Sequence, residues 1–238
     1  SLNSLGLMSG TSGDGVDASV INSDGEGHYK VLINKYFKYS DEISQNIYKL
    51  KRNINNIDDV KIFSTEINDL ERKITLFHSN VVSEFTKKKD FGIDLIGFHG
   101  QTILHSPKNK YSKQLGDGNL LSQLSKKKVI FNFRQNDLFQ GGEGAPLSPI
   151  FHQLIVKEKK IDLPVCILNI GGISNLTLIK DLKEENLISK DIGPGNCLID
   201  EWIRRNKKGN FDRNGEFASQ GKTNTVSYTH LRAHETGY

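Results

Sequence analysis

The sequence predicts an α/β protein in which hairpins as well as crossover helices join the strands. At Leu5–Val20 and again at Pro164–Ile179, apolar or alternating runs flank a glycine turn, which predicts strand, turn and strand. From Ile57 to Phe85, apolar residues recur at steps of three and four, which is typical of an amphipathic helix. The apolar run Leu95–His99 predicts a buried strand, so strands and helices are mixed along the chain.

The remaining elements follow from shorter patterns. The turn sequence SDGEG precedes a further strand, and the stretch GGEGAPLSP is too glycine-rich for a helix and too long for a simple turn. In chain order, these patterns predict a strand at Val31–Tyr39, a short helix at Leu120–Lys128, a strand at Val129–Phe133, a loop at Gly141–Pro149, and helices at His152–Lys159 and Leu198–Asn206.

Composition excludes several classes of protein. The chain has 238 residues, of which 36% are hydrophobic and 25% charged, as in ordinary globular proteins. It contains neither a transmembrane run nor a signal peptide, and Cys166 and Cys197 form neither a disulfide framework nor a zinc pattern. We therefore expect a cytoplasmic protein without a membrane partner. The lysine clusters at 87–89, 126–128 and 157–160 reflect a general lysine-rich composition, so no nucleic-acid partner is expected either.

The first glycine turn, Gly10–Asp17, carries groups that bind ligands. It offers backbone N–H groups, the hydroxyls of Thr11 and Ser12, and the carboxylates of Asp14 and Asp17. No lysine follows the glycines and the next element is a strand, so the stretch is not a Walker loop. A phosphate, a metal and a plain hairpin turn all remain open. If a phosphate binds, the two carboxylates require a cation such as Mg²⁺ beside it.

Polar clusters follow two of the predicted strands. In GFHGQT, the side chains of His99, Gln101 and Thr102 come at the end of an apolar strand, and Arg134 follows another. Ligands of α/β proteins bind at such strand ends. The alternative for His99 is a histidine whose hydrogen bonds are satisfied by nearby backbone.

A second carboxylate site is predicted at DIGPGN. Asp191 is expected on a rigid glycine–proline loop before a helix, where it could serve as a general base. It could equally cap the helix, although Asn196 is better placed to do so.

Five motifs together carry a family resemblance: MSGTSGDGVD, GFHGQT, GGEGAPLSP, LNIGGISNLT and DIGPGN occur in this order between Leu5 and Lys222. In this order they resemble the anhydro-N-acetylmuramic acid kinase family, which shares the actin-like, ribonuclease-H-like fold of Hsp70 and the sugar kinases. The resemblance implies two α/β domains, which we expect at residues 1–160 and 161–225, the second one incomplete. ATP and Mg²⁺ are the implied cofactors and an amino sugar the implied substrate, while a homodimer is compatible with the sequence.

The resemblance also implies a role for each motif. Water opens the 1,6-anhydro ring of the sugar, and the freed 6-oxygen takes the γ-phosphoryl group of ATP, which gives N-acetylmuramic acid 6-phosphate in peptidoglycan recycling. Asp191 is the implied base and Asp14 the implied Mg²⁺ ligand. The nucleotide is expected at Gly10, Thr11, Ser12, Gly13, Asp14, Gly15, Val16, Asp17, Gly171 and Gly172, and the sugar at His99, Gln101, Thr102 and Arg134. The alternative is a non-catalytic sugar- or phosphate-binding relative with the same fold.

The C-terminal part departs from the family. The family continues well past Thr225 and there supplies most of the adenosine pocket and a second carboxylate. We therefore expect exposed apolar surface in the second domain and no useful kinase activity from the 238-residue chain alone. Val226–Thr236 resembles the translation of a sequencing-library adapter, so we expect residues 226–238 to be a non-native tail.

Overall fold

A computed structural model describes residues 1–87, 92–183, 186–226 and 229. The predicted tail at 226–238 lies outside the described residues except for Val226 and Thr229, as do Lys88 and Lys89 of the first lysine cluster. The described residues form both strands and helices, interspersed along the chain, so the predicted α/β class is confirmed. No helix in the described part is both long and apolar enough to cross a membrane.

The larger sheet has six strands and a parallel pair at its centre. Its strands are β1 (Leu2–Ser9), β2 (Gly15–Ser23), β3 (Tyr29–Lys38), β4 (Leu95–Ser106), β5 (Tyr111–Leu115) and β6 (Lys128–Phe131). The order is β3-β2-β1-β4-β5, and β6 also pairs with β4. β4 runs parallel to β1 and β6, while the other neighbours are antiparallel. Alternating apolar residues of β1 and β2 form one face of the core.

Six α-helices belong to the described part of unit 1, and the first, third and fourth bury side chains in the core. They are α1 (Asp41–Asn53), α2 (Ile57–Ile62), α3 (Ser64–Thr86), α4 (Gly118–Ser125), α5 (Phe133–Phe139) and α6 (Pro149–Lys159). Ile67, Leu70, Ile74, Val81 and Phe85 form the buried stripe of α3 that the spacing predicts. They pack in one cluster with the buried side chains of α1, β1, β2 and β4.

The predicted helix from Ile57 to Phe85 is interrupted. Asn56 caps α2 in a capping box with Asp59, and the helical path breaks at Phe63 before α3 begins. The strand predicted at Val129–Phe133 is also shorter, because Asn132 has a left-handed backbone (φ 62°) that ends β6 and starts α5. Helices α1 and α5 and strand β5 are not among the elements predicted from the sequence.

The sequence predicted His99–Thr102 at the end of a strand. In the structure they lie in the middle of β4. The parallel pairing of β4 with β1 ends at Gln101. From the same residue onward β5 pairs with β4, so β4 continues as a strand. Gly100 has φ +73° at the register shift between the two strands. A side chain there would meet the Leu115 carbonyl oxygen at 2.5 Å, so the position requires glycine.

The chain divides into two compact units. Unit 1 comprises the described residues within 1–169 and 175–192, and unit 2 comprises residues 170–174 and the described residues from Gly193 onward. A three-stranded sheet in the order β7-β8-β9 is formed by β7 (Val165–Ile170), β8 (Ile173–Ile179) and β9 (Leu187–Pro194). Most residues of this sheet belong to unit 1, whereas α7 (Cys197–Arg205) and α8 (Glu216–Ser219) belong to unit 2. The domain boundary expected at residue 160 stays a prediction.

Apolar side chains are exposed in the C-terminal part, as expected. In unit 1, Leu168 of β7 is 54% exposed and Ile188 of β9 is 46% exposed. In unit 2, Leu198 and Trp202 of α7 are also more than half exposed.

A buried polar chain lies at the end of β1. The Ser9 hydroxyl hydrogen-bonds the Tyr39 hydroxyl at 2.6 Å and approaches His78 Nε2 at 3.5 Å. His78 Nδ1 donates to the Ile74 carbonyl at 2.8 Å, so Nε2 is the acceptor in neutral histidine. Ser9, Tyr39 and His78 are each at least 98% buried. Burial lowers the pKa of His78 to about 4, and His78 is therefore neutral at pH 7.

We predict that this histidine makes the fold sensitive to acid. The unfolded chain takes up a proton at His78 as the pH falls below 6.5, whereas the folded chain does so only near pH 4. Stability is therefore complete above pH 6.5 and falls between pH 6.5 and 4. Urea unfolding measures the free energy of unfolding across this pH range. His78→Gln should reduce the acid-induced loss of this free energy by up to roughly 3 kcal/mol, since each pKa unit corresponds to about 1.4 kcal/mol.

His28→Gln is the control, because His28 is exposed on a turn. Every other titrating group, including the buried His99, is retained in both variants. Equal pH dependence of stability in wild type and His78→Gln would contradict the assignment.

Candidate active site

The loop between β1 and β2 is a tight turn held from behind. The Gly13 amide donates to the Gly10 carbonyl at 3.2 Å, which closes a four-residue turn. Gly13 has φ +65°, and a Cβ there would lie 2.8 Å from Ile47 of α1. The Tyr39 amide holds the Asp14 carbonyl at 2.9 Å at the far end of the loop. Helix α1 and the end of β3 thus fix the path of the loop.

Two side chains from other elements bind the carbonyls of this turn. Gln101 Nε2 of β4 donates to Gly10 O at 3.0 Å, and Lys51 Nζ of α1 donates to Thr11 O at 2.6 Å. Thr11 and Ser12 are exposed, and in the described part of the chain their amide N–H groups make no hydrogen bond. The turn therefore presents two available N–H donors, which is the chemistry that binds phosphate oxygens.

The two carboxylates of the hairpin lie close enough to influence each other. Ser12 Oγ donates to Asp14, and the hydroxyl of Tyr36 lies against the same carboxylate. Partial burial and then the Asp14 carboxylate raise the pKa of Asp17. The same two causes raise the pKa of Tyr36 to about 12, so its hydroxyl keeps its proton. Gly15 is required here because a Cβ would lie 2.5 Å from the Tyr36 hydroxyl oxygen.

These residues fit a magnesium ion that arrives with a phosphate. Among the residues described, no three His, Cys, Asp or Glu side chains come together as a metal cage. Mg²⁺ is usually held by one or two carboxylates together with substrate phosphates and water. Asp14, half-buried and next to the two available N–H groups, is such a carboxylate.

Gln101 and Thr102, both predicted sugar ligands, are bound within the protein. Gln101 is fully buried; its amide nitrogen holds the loop, and its Oε1 has no hydrogen-bond partner among the described residues. Thr102 Oγ1 accepts from Gln114 Nε2 at 3.3 Å. Gln101 therefore links β4 to the turn, and its oxygen is an unsatisfied acceptor.

His99 and Arg134 form the second cluster of unit 1. His99 Nδ1 lies 2.7 Å from the Gly100 carbonyl, which can only accept, so this nitrogen carries the proton. His99 Nε2 then accepts from Arg134 Nε at 2.9 Å, and Arg134 Nη1 donates to the Gly144 carbonyl at 2.8 Å. Burial, followed by the Arg134 charge, lowers the pKa of His99 to about 4. The neutral imidazole of His99 orients the guanidinium of Arg134. Among the described residues, Arg134 Nη2 donates no hydrogen bond.

Asp191 faces this cluster from β9. It is exposed, and its charge opposes the burial effect that lowers the pKa of Arg134, although no salt bridge joins the two groups among the described residues. Asp191 lies inside a strand and not on the loop that the sequence analysis expected, because β9 extends to Pro194. The start of α7 is six residues away, so Asp191 does not cap it. Asn196 occupies the cap position, without a side-chain capping bond.

His105 belongs to the same cluster and is not among the site residues predicted from the sequence. Burial, and then Arg134, lowers the pKa of His105, while Asp191 and the Glu143 backbone act in the opposite direction. Its Nδ1 lies 3.0 Å from Ser112 Oγ. The available signal was its even separation from His99, which on a regular strand places two side chains on the same face.

The second glycine turn, Gly171–Gly172, belongs to unit 2. Its two carbonyls accept from the amides of Gly195, Asn196 and Cys197 at 2.8–3.3 Å, which fastens the turn to the start of α7. Gly195 can approach because it has no Cβ, which would collide with the Gly171 carbonyl.

Sequence comparison places this chain in a family of sugar kinases. The family profile of anhydro-N-acetylmuramic acid kinase matches residues 3–236, and the chain belongs to this family. An anhydro-N-acetylmuramic acid kinase from Pelagibacter ubique is 54% identical over 223 residues, which is 94% of this chain and 60% of that protein. One from Agrobacterium fabrum is 38% identical over 91% of this chain and 59% of its own length. The chain thus spans about three fifths of these relatives.

Among solved structures, a Ppx/GppA phosphatase from Aquifex aeolicus has a TM-score of 0.41 and 12% identity, over 85% of this chain and 56% of that one.

We predict that the charge of Arg134 adds to the effect of burial in lowering the pKa of His99. Arg134→Met removes the nearby positive charge, so the pKa of His99 should rise from about 4 toward its ordinary value, although burial still lowers it. An NMR titration of the His99 ring protons measures this pKa. Arg52→Met removes a charge on α1 and serves as the control; an unchanged His99 pKa in Arg134→Met would contradict the arrangement.

Proposed function

We propose that this chain serves an ATP-dependent kinase reaction on 1,6-anhydro-N-acetylmuramic acid. In this reaction water attacks C1 and the bond between C1 and O6 breaks. O6 then takes the γ-phosphoryl group of ATP while ADP leaves, which gives N-acetylmuramic acid 6-phosphate. The observation that carries the proposal is the cluster of a guanidinium oriented by a neutral histidine and a nearby carboxylate that is not paired with it. Membership of the kinase family supports the same reaction.

In this proposal Asp191 is the general base. Its exposed carboxylate can reach a bound water and accept the proton that the water loses as it attacks the anomeric carbon. Arg134 would bind the lactyl carboxylate of the sugar, because a guanidinium with an available Nη2 is the natural partner of a carboxylate. His99, kept neutral, does not add a second charge there.

The turn at Gly10–Asp17 is proposed for the phosphates. When bound, ATP supplies the phosphoryl group and Mg²⁺ neutralises its charge. The amides of Thr11 and Ser12 would donate to phosphate oxygens, and Asp14 would hold the metal ion. Gly171 and Gly172 remain proposed nucleotide-binding residues. Because ATP is the phosphoryl donor, the proposal includes a cytoplasmic location, and peptidoglycan recycling is the proposed process.

The test uses a chimera in which residues 1–225 are followed by the part of the Pelagibacter relative that this chain does not span. With the anhydro sugar, ATP and Mg²⁺, we expect a product heavier by one water and one phosphoryl group. Asp191→Asn should lower kcat at least a hundredfold, the lower range for loss of a general base. The exposed loop residue Asp162 provides the matched control, Asp162→Asn.

Either of two results would contradict the proposal. If the chimera binds the sugar but forms no product, the chain belongs to a non-catalytic sugar-binding relative. If Asp191→Asn retains the rate of Asp162→Asn, another group activates the water.

A further inference from the structure

The orientation of one peptide decides whether the Gly10–Gly13 turn can bind an anion. Thr11 and Ser12 are the two central residues of this turn, and the peptide between them is the one whose rotation distinguishes the common turn types. In a planar trans peptide the C=O and N–H groups point in opposite directions. If the Thr11 carbonyl turned to the open side, it would repel a phosphate, and the Ser12 amide would be lost as a donor.

Lys51 fixes this peptide from outside the motif. Its ammonium is 2.6 Å from the Thr11 carbonyl oxygen, so the Ser12 N–H points away from α1. Gln101 does the same for the preceding peptide through the Gly10 carbonyl at 3.0 Å. A cation on the carbonyl also polarises the peptide, which strengthens its N–H as a donor.

The position of Lys51 on its helix explains the reach of this contact. Lys51 lies one turn after Ile47, the residue that packs against Gly13, so one face of α1 contacts two points of the turn. Lys51 is half-buried, in contrast to the exposed Arg52 beside it. Both belong to the last turn of α1, where basic residues favour the helix dipole equally.

We propose that Lys51 is a positioning residue for phosphate binding at the Gly10–Asp17 loop. It holds the Thr11–Ser12 peptide with the Ser12 N–H available, and its charge offsets the carboxylates of Asp14 and Asp17 when a phosphate enters. The ligand class is a phosphoanhydride, as in a nucleotide. This inference rests on the proposed function, because it takes the loop as the phosphate site.

The test measures binding of magnesium pyrophosphate to the 238-residue chain by isothermal titration calorimetry. Amide NMR shifts of Thr11 and Ser12 report whether the ligand is at the loop. Lys51→Met should weaken binding at least tenfold and move the Ser12 amide shift even without ligand. Lys51→Arg, which keeps a cationic donor, should bind within about threefold of wild type. Arg52→Met removes the same charge from the same helical turn and should also bind within about threefold.

The outcomes separate the two proposals. If wild type binds magnesium pyrophosphate at the loop and Lys51→Met binds it with the same affinity as Arg52→Met, the proposed role of Lys51 is wrong and the proposed phosphate site is retained. If wild type shows no shift at Thr11 and Ser12, the phosphate site itself is wrong, and the role of Lys51 falls with it. Amide shifts of β1 and β4 that match wild type show that each variant is folded.

Discussion

The parallel pairing of β1 with β4 is the constraint on which the candidate site depends. Its register places Ser9 opposite Gln101, so the turn that follows β1 begins beside the Gln101 side chain. The shift at Gly100 allows β4 to leave β1 and continue along β5. His99 and Gln101 are thereby fixed on one strand, the first facing Arg134 and the second supporting the turn. Both clusters of unit 1 are anchored to this one strand.

Two buried histidines of unit 1 are neutral, whereas the partly buried Arg134 keeps its charge. His78 and His99 are neutral because burial lowers the pKa of each to about 4. The charge of Arg134 is retained, with hydrogen bonds to a neutral imidazole and a carbonyl and with Asp191 nearby. Among the described residues no carboxylate forms a salt bridge with Arg134, so under the proposed function its guanidinium would be available for the carboxylate of a ligand.

Local sequence patterns were sufficient for much of the fold. The two glycine hairpins, the buried stripe of α3 and the helix α6 are formed by residues close in sequence, and periodicity detects them. A loop was predicted at Asp191–Asn196 because this stretch is rich in glycine and proline, although β9, which pairs with β8, extends to Pro194. The short strand β5 is defined by its partner β4 and has little pattern of its own.

The candidate site was predictable where motifs carry it and not elsewhere. Lys51 contacts Thr11 across 40 residues of chain, and neither α1 nor the end of β3 has a motif that indicates contact with the turn. Tyr36 reaches Asp14 only because Gly15 leaves room for its ring, a fact of packing that no single sequence displays. Lys51 and Tyr36 could not be predicted as site residues because their contacts join residues that are distant in sequence.

Recognition of the sugar carboxylate by Arg134 is the central claim, and calorimetry on this chain tests it most directly. The two ligands to compare are 1,6-anhydro-N-acetylmuramic acid and 1,6-anhydro-N-acetylglucosamine, which differ only in the lactyl group. The account predicts at least tenfold tighter binding of the muramic sugar, as expected for a charge-assisted hydrogen bond worth about 1.5–3 kcal/mol, and loss of this preference in Arg134→Met. Equal affinity for the two sugars would contradict it.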